Sequence, residues 1–253
     1  STHRYTLFPY TTLFRSGSTT PVTCAGGNNG TANVTVSGGT FPYLITWSPT
    51  GQVGPVATQL PAGTHTASIT DAQGCTTQVQ ALITSPAALS LQAWVPDTVC
   101  VNAPQVLSAS PNGGQAPYTI SWGALGSGSP LTASFSDDQM VTVTVTDAYG
   151  CQGPVLNFPV TVLDLDQAQL TLSPDATVCP GGSVNVSASV SGYPGAFTLF
   201  WPTLAQTGNG PFTVPVTQTM AVPVILQDAC GAMRSDTISL VLDTPPNIVI
   251  PDV

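Results

Sequence analysis

The chain has 253 residues, a formal net charge of −9 and only 6% charged residues, with no Glu and no Lys. Because no basic cluster is present, the composition excludes electrostatic binding to nucleic acid or to an anionic membrane. No apolar run is long enough to span a bilayer. Thr, Ser, Val, Gly and Pro dominate where helix-favouring charged side chains are scarce, so the composition predicts β-strands and turns throughout.

The N-terminal segment, residues 1–16, stands apart from the rest of the chain. Residues 6–16 closely resemble the translation of a common sequencing adapter in one reading frame, although an authentic aromatic β-segment is the alternative. We interpret residues 1–16 as artefactual rather than native sequence and exclude them from fold reasoning. The N-terminus also lacks the pattern of a signal peptide, and we therefore expect a fragment of a longer exported protein.

Six cysteines indicate that the remaining sequence is one module repeated three times. They form three pairs separated by 51 positions each: Cys24 and Cys75, Cys100 and Cys151, Cys179 and Cys230. The first cysteines of successive pairs lie 76 and then 79 positions apart (100 − 24 and 179 − 100), which is a domain-sized rather than a solenoid-sized period. We predict modules at 17–86, 87–163 and 164–243, followed by a linker at 244–253.

Each module shows strand patterns separated by turn residues. In the first module, apolar residues alternate with polar ones over residues 32–36, a Gly-Gly turn follows, and residues 43–47 form a second strand pattern. An Asp-x-x-Gly turn then precedes Cys75 and Cys151, whereas in the third module Cys230 lies two positions nearer to its Asp. The sequence therefore predicts an all-β fold of three small immunoglobulin-like β-sandwiches.

One tryptophan and one upstream aromatic residue recur at a fixed strand position in every module. An aromatic side chain at one position per repeat is what a sandwich interior requires, so we predict that these residues anchor the cores. The predicted core anchors are Trp47, Trp122, Trp201, Tyr43, Tyr118 and Phe197.

The cysteines are predicted to form one disulfide within each module, joining the two members of each pair. Modules of this size have marginal cores, and such a bridge contributes on the order of 4 kcal/mol in the chain-entropy account. Zinc binding is the alternative, but zinc sites use closely spaced ligand pairs, and these cysteines are isolated singles. Paired cysteines predict an oxidising compartment.

The first module resembles the SprB-type repeat of large surface adhesins in gliding bacteria. The resemblance rests on Val-Thr-Cys-Ala-Gly-Gly-Asn-Asn-Gly from Val22, Val-Ser-Gly-Gly-Thr-Phe-Pro-Tyr from Val36, and Ile-Thr-Asp-Ala-Gln-Gly-Cys from Ile69. Modules two and three resemble the related PKD-like domains, although the third lacks the Gly-Gly turn. The tail at 244–253 resembles the lead-in to the C-terminal sorting domain of type IX secretion cargo. The resemblance implies an extracellular or cell-surface protein connected with gliding motility.

Candidate sites for chemistry are few. The two histidines, His3 and His65, cannot be combined with a nucleophile and an orienting group, so we expect no enzymatic activity and no cofactor. Asp137 and Asp138, together with Asp147, are candidates for calcium binding, for which a solvated acidic turn is the alternative.

Two functions fit these observations. The first is a non-enzymatic repeat segment of a large secreted or surface adhesin, acting as a disulfide-stapled stalk or spacer. The alternative is an accessory carbohydrate- or protein-binding module of a secreted multidomain enzyme, in which exposed aromatics such as Tyr149 and Tyr193 would stack on glycans. The expected partners are neighbouring modules of the same longer chain, with surface glycans or proteins as further candidates.

Overall fold

The structure is a computed structural model that describes residues 14–244, and it confirms the all-β fold class. Apart from two single 3₁₀ turns, Gly123–Leu125 and Leu165–Gln167, every regular element in this part of the chain is a β-strand. The chain forms two compact units, which contain residues 14–95, 106–132 and 140–158 in the first and 96–105, 133–139 and 159–244 in the second.

The strands are numbered in chain order. They are β1 (Phe14–Thr20), β2 (Gly30–Ser37), β3 (Leu44–Ser48), β4 (Val56–Leu60), β5 (Gly63–Thr70), β6 (Thr76–Ile83), β7 (Ser90–Trp94), β8 (Thr98–Cys100), β9 (Gln105–Asn112), β10 (Thr119–Ser121), β11 (Leu131–Ala133), β12 (Gln139–Thr146), β13 (Leu156–Leu163), β14 (Gln169–Leu172), β15 (Ala176–Val178), β16 (Ser183–Val186), β17 (Ala188–Ser191), β18 (Phe197–Trp201), β19 (Gln206–Thr207), β20 (Phe212–Pro215), β21 (Met220–Asp228) and β22 (Met233–Leu242).

The N-terminal part of the first unit is a sandwich of two three-stranded antiparallel sheets. Their strand orders are β1-β2-β4 and β3-β5-β6, which is the A-B-E and C-F-G arrangement of an immunoglobulin-like sandwich. The sequence of β5 favours packing on one face only. Ala67 and Ile69 are buried, whereas Ser68 between them and the flanking Thr66 and Thr70 are not. Trp47 lies in the resulting core at 1% exposure.

The rest of the first unit contains two further strand pairs. Strand β7 pairs antiparallel with β9, with Trp94 opposite Ser108, and β10 pairs antiparallel with β12. The alternating sequence of β12 buries Val141, Val143 and Val145 and directs the threonines between them outward. This pattern agrees with the period-2 reading of the sequence.

The second unit contains a five-stranded sheet, β15-β22-β21-β18-β19, and the strand pairs β14-β17 and β16-β20. Trp201 is completely buried in the core of this sandwich, together with side chains of β21 and β22. Strand β15 runs parallel to β22, with Val178 opposite Leu242. Strand β8 runs parallel to β13 in the same way, with Cys100 opposite Leu163. A three-residue strand that runs parallel to the last strand of the predicted module is therefore a repeated feature.

The predicted module boundaries and the interpretation of residues 1–16 as adapter-derived sequence remain predictions. The two compact units do not coincide with modules at 17–86, 87–163 and 164–243, and they do not test that division. Residues 14–16 belong to β1, whereas residues 1–13 and the tail at 245–253 lie outside the described residues.

Two tryptophans of the first unit provide a matched test of the core. We expect Trp47→Ala to lower the free energy of unfolding by about 3–5 kcal/mol, because it removes a fully buried aromatic side chain. Trp94 is 58% exposed, so Trp94→Ala should change stability by less than about 0.5 kcal/mol. Urea unfolding followed by circular dichroism measures both, and equal losses in the two variants would contradict the assigned core.

Candidate functional site: the cysteine-bearing turns

Three aspartates organise three equivalent turns, at residues 71–75, 147–151 and 228–232, which we call the Asp turns. In each, the Asp N–H donates to the carbonyl of the fourth residue after it, at 3.0 to 3.1 Å. The N–H of that fourth residue donates back to the Asp carboxylate, at 2.8 to 2.9 Å. The three aspartates are only 6% to 7% exposed. The fourth residue is Cys75 in the first turn, Cys151 in the second and Ala232 in the third.

A second carboxylate oxygen ties each Asp turn to an earlier loop. Asp71 accepts from the N–H of Thr40 and Asp147 from the N–H of Gln115, both at 3.0 Å. In the third turn, the hydroxyl of Tyr193 donates to Asp228 instead, at 3.0 Å. Each buried carboxylate therefore has donors for both oxygens, as a buried charge requires.

These hydrogen bonds shift the pKa values of Asp71, Asp147 and Tyr193. The backbone N–H groups of Thr40 and Cys75 lower the pKa of Asp71 from its ordinary value. For Asp147, burial raises the pKa, but the backbone N–H groups of Cys151 and neighbouring residues outweigh it, and the net shift is downward. Burial, followed by the hydrogen bond to Asp228, raises the pKa of Tyr193 to about 12. The turns of Asp71 and Asp147 are therefore built around ionised carboxylates.

The other three cysteines begin a second set of equivalent turns, at residues 24–27, 100–103 and 179–182, which we call the head turns. In each, the carbonyl of the cysteine accepts from the N–H three residues later, at 2.9 to 3.1 Å. Cys100 ends β8 and Cys179 directly follows β15, so both stand at the end of the short strand that runs parallel to the last strand.

The disulfides join these turns in a pattern that differs from the predicted pairing. Cys24 bonds to Cys151, and Cys100 bonds to Cys230, with Cα atoms 5.6 and 5.8 Å apart. The predicted pairs Cys24–Cys75, Cys100–Cys151 and Cys179–Cys230 are therefore wrong. Cys75 and Cys179 are exposed free thiols. Each bond joins a head turn of one predicted module to the Asp turn of the next.

The length of the last strand explains why the predicted pairing fails. In the first module, the N–H of Val22 donates to Thr84 beyond the end of β6, whereas Cys75 precedes the start of β6. Eight residues of strand span about 25 Å. A disulfide requires Cα atoms within about 7 Å, so Cys24 and Cys75 cannot meet. In the third module, β22 separates Cys179 from Cys230 in the same way.

The structure places the three predicted tryptophans in buried positions with a common hydrogen bond. Trp47, Trp122 and Trp201 are at most 1% exposed. Each indole Nε1–H donates to a glycine carbonyl six or seven residues later, at 2.8 to 2.9 Å. The ring fills the core while its one polar group is satisfied, which a buried tryptophan needs.

The upstream aromatics behave less uniformly. Tyr43 and Tyr118 are partly buried, and their hydroxyls donate to the carbonyls of Gly38 and Gly113 at 2.7 and 2.8 Å. Phe197 is 38% exposed, so its assignment as a core anchor is wrong. It has no hydroxyl for such a hydrogen bond, and Tyr193 packs against this core instead.

The calcium candidates do not form a site. Asp147 uses its carboxylate in its own turn, Asp138 accepts from the N–H of Val162 at 2.6 Å, and Asp137 accepts from the hydroxyl of Ser136 at 2.8 Å. Within residues 14–244, no three His, Cys, Asp or Glu side chains are grouped so that they could hold a metal ion. The turn interpretation describes Asp147 better than the metal interpretation.

Three further residues were missed or misplaced by sequence reasoning. His65 is 2% exposed, and its Nε2 lies 2.9 Å from the carbonyl of Pro61. Arg234 donates to the carbonyl of Ala168 at 2.6 Å and fastens the 3₁₀ turn Leu165–Gln167. Trp94 is exposed beside a shallow cleft of about 310 Å³. Two features of the sequence indicate this exposure. Trp94 falls on the outward-facing side of the alternating strand β7, and the other modules have no tryptophan at the equivalent position.

Comparison with known protein families finds one similarity within the chain. The family model of the SprB repeat matches residues 16–52, so this segment is similar to a SprB repeat. A search of curated protein sequences finds no match. No helix among residues 14–244 is long and apolar enough to cross a membrane.

Several solved structures resemble the chain at low identity. A titin I-band fragment, I67–I69, is 15% identical over 92% of this chain and 99% of its own, with a TM-score of 0.41. Extracellular domains 3–5 of Drosophila OTK are 10% identical over 87% of this chain and 93% of theirs, with a TM-score of 0.35. Because both scores are below 0.5, the fold assignment rests on the strand topology described above.

The carboxylate of Asp71 should make stability depend on pH. A carboxyl group whose pKa is lowered by folding contributes stability above its unfolded pKa of about 3.9, and this stability is lost as the pH falls through the folded pKa. We expect Asp71→Asn to be less stable than wild type at pH 7 and to lose less stability between pH 5 and pH 2. Urea unfolding across this range measures the effect. Asp97→Asn, at an exposed position, is the control and should follow wild type.

Proposed function

We propose that the chain is a non-enzymatic stalk or spacer segment of a large secreted or cell-surface adhesin, and that its function is mechanical. The SprB repeat at residues 16–52 supports the adhesin context. The observation that carries the mechanical part is the overlap of the two disulfide loops, since Cys100 lies inside the loop closed by Cys24 and Cys151.

Overlapping loops limit how far the chain can be stretched. Without bridges, Cys230 follows Cys24 by 206 positions of extensible chain (230 − 24). With both bridges, the shortest covalent path runs through the first disulfide, along the 51 positions from Cys151 back to Cys100 (151 − 100), and through the second disulfide. At about 3.4 Å per residue, the maximum extension falls from about 70 nm to about 17 nm. A stalk with this connectivity resists elongation even when its sandwiches unfold.

The location of the protein and its partners belong to the same proposal. Disulfides persist in oxidising compartments, which supports a location at the cell surface or outside the cell. Neighbouring modules of the same longer protein are the proposed immediate partners, and the division into modules at 17–86, 87–163 and 164–243 is part of this view. The equivalent turns in each predicted module support it.

One observation favours the alternative of a carbohydrate-binding module. Trp94 is 58% exposed, and its cleft is lined by Gln92, Ser108 and Ser110, whose amide and hydroxyl groups are suited to sugar hydroxyls. Exposed indole faces are a common element of glycan recognition because they combine apolar area with a polar edge. The cleft is shallow, however, and we rank this function second.

The mechanical proposal is tested by stretching single molecules from their two ends. We expect reductant to increase the extension gained on full unfolding by about 50 nm, because it opens both loops. Without reductant, the double variant Cys24→Ser/Cys151→Ser should reach an extension between those of the oxidised and the reduced wild type, since only the loop closed by Cys100 and Cys230 remains. Equal extensions with and without reductant would contradict the proposal.

A glycan array with the intact chain separates the two functions. Binding that is lost in Trp94→Ala and kept in Tyr149→Ala, another exposed aromatic, would favour the carbohydrate-binding function. We expect neither the wild type nor the variants to bind, because a spacer needs no sugar site.

A further inference from the structure

We propose that Cys75 and Cys179 are the two ends of a disulfide ladder, and that each bonds to a cysteine of another module of the same kind. Cys179 would form a disulfide with the Asp-turn cysteine of the next module, and Cys75 would form one with the head-turn cysteine of the preceding module. In the pure protein, the partner is a second copy of this chain. This inference goes beyond the stalk function and does not depend on it.

The first support is the rule followed by the two bridges. Cys24 and Cys100 belong to head turns, and each bonds to a cysteine in the Asp turn of the following predicted module. When this rule is applied to all six cysteines, one cysteine of each kind lacks a partner within residues 14–244. These two are Cys75, in an Asp turn, and Cys179, in a head turn. The free thiols are therefore complementary rather than two of the same kind.

The second support is the equivalence of the Asp turns around Cys75 and Cys151. The N–H groups of Cys75 and Cys151 each donate to an Asp Oδ1 at 2.9 Å. Asp71 and Asp147 each donate to the carbonyl of their cysteine at 3.0 Å and are tied to the preceding loop at 3.0 Å. The backbone that presents Cys151 to its disulfide partner is thus already formed around Cys75.

The head turn of Cys179 matches that of Cys100 in the same way. Both cysteines stand at the end of a short strand that is parallel to the last strand, and both accept a hydrogen bond from the third residue after them, at 3.0 and 3.1 Å. Cys100 is half-buried against its partner, whereas Cys179 is exposed. Both turns required for a further bond are preformed.

The placement of these cysteines predicts head-to-tail association. The last strand of about 25 Å separates the head turn from the Asp turn in the first module, so the two turns face opposite ends. A contact between unlike surfaces is heterologous and can continue from copy to copy. After one bond between Cys179 of one copy and Cys75 of another, the pair still carries one free thiol of each kind, so further copies can add at both.

The bond requires an oxidant, for which a low-molecular-weight disulfide such as glutathione disulfide suffices. The thiolate of Cys179 attacks one glutathione sulfur and releases one glutathione thiolate, which gives a mixed disulfide. The thiolate of Cys75 then attacks the Cys179 sulfur and releases the second glutathione. Two protein thiols are oxidised, and one glutathione disulfide is reduced to two thiols.

The test uses two full-length variants, each with one free thiol. Cys75→Ser is prepared at natural isotope abundance and Cys179→Ser is labelled with ¹⁵N, and mass spectrometry first verifies both native bridges. The variants are mixed in equal amounts in a glutathione redox buffer. We expect the heterodimer, joined through Cys179 and Cys75, to take nearly all of the dimer fraction. Wild type should form a ladder of longer species, whereas each variant alone should lose it.

Three results would overturn the proposal. One is random pairing, in which heterodimers make up only half of the dimers. Another is the formation of glutathione-capped monomers alone. The third is dimerisation of the double variant Cys75→Ser/Cys179→Ser, which would show that dimers come from reshuffling of the native bridges.

Discussion

The length of the last strand in each sandwich is the constraint on which the covalent structure depends. Because a short strand places the head-turn cysteine beside the end of the last strand, this cysteine lies at one end of its sandwich, and the Asp turn lies at the other. No rotamer change can close a gap of about 25 Å. The bridges must therefore connect different repeats, and Cys24–Cys151 and Cys100–Cys230 do so.

The buried aspartates explain how a chain with so few charges specifies its turns. A carboxylate on a short side chain reaches backbone N–H groups two and four residues later, as Asp71 does with Gln73 and Cys75. Glu is too long for this local geometry, and Lys is not needed when backbone amides supply the donors. The absence of both residue types is consistent with turns stabilised by the main chain rather than by ion pairs.

The sequence predicted the strands, the Asp turns and the tryptophan cores, because each depends on local pattern or on a repeated side chain. It did not predict the disulfide pairing, since the constant 51-position interval shows only that the cysteines recur at matching places in each repeat and does not give the distance between their side chains. Phe197 was misassigned because it occupies the strand position of Tyr43 and Tyr118 but has no hydroxyl. In the third module, Tyr193 supplies the partly buried hydroxyl instead, and it donates to Asp228. Trp94 was missed because it has no equivalent in the other modules.

The overlap of the two disulfide loops keeps the protein covalently connected after a single proteolytic cut. A single backbone cleavage between Cys24 and Cys100 leaves fragments joined by the first bridge, and one between Cys151 and Cys230 leaves fragments joined by the second. Cleavage between Cys100 and Cys151 leaves both bridges across the cut. A nick anywhere in this span therefore does not sever the molecule.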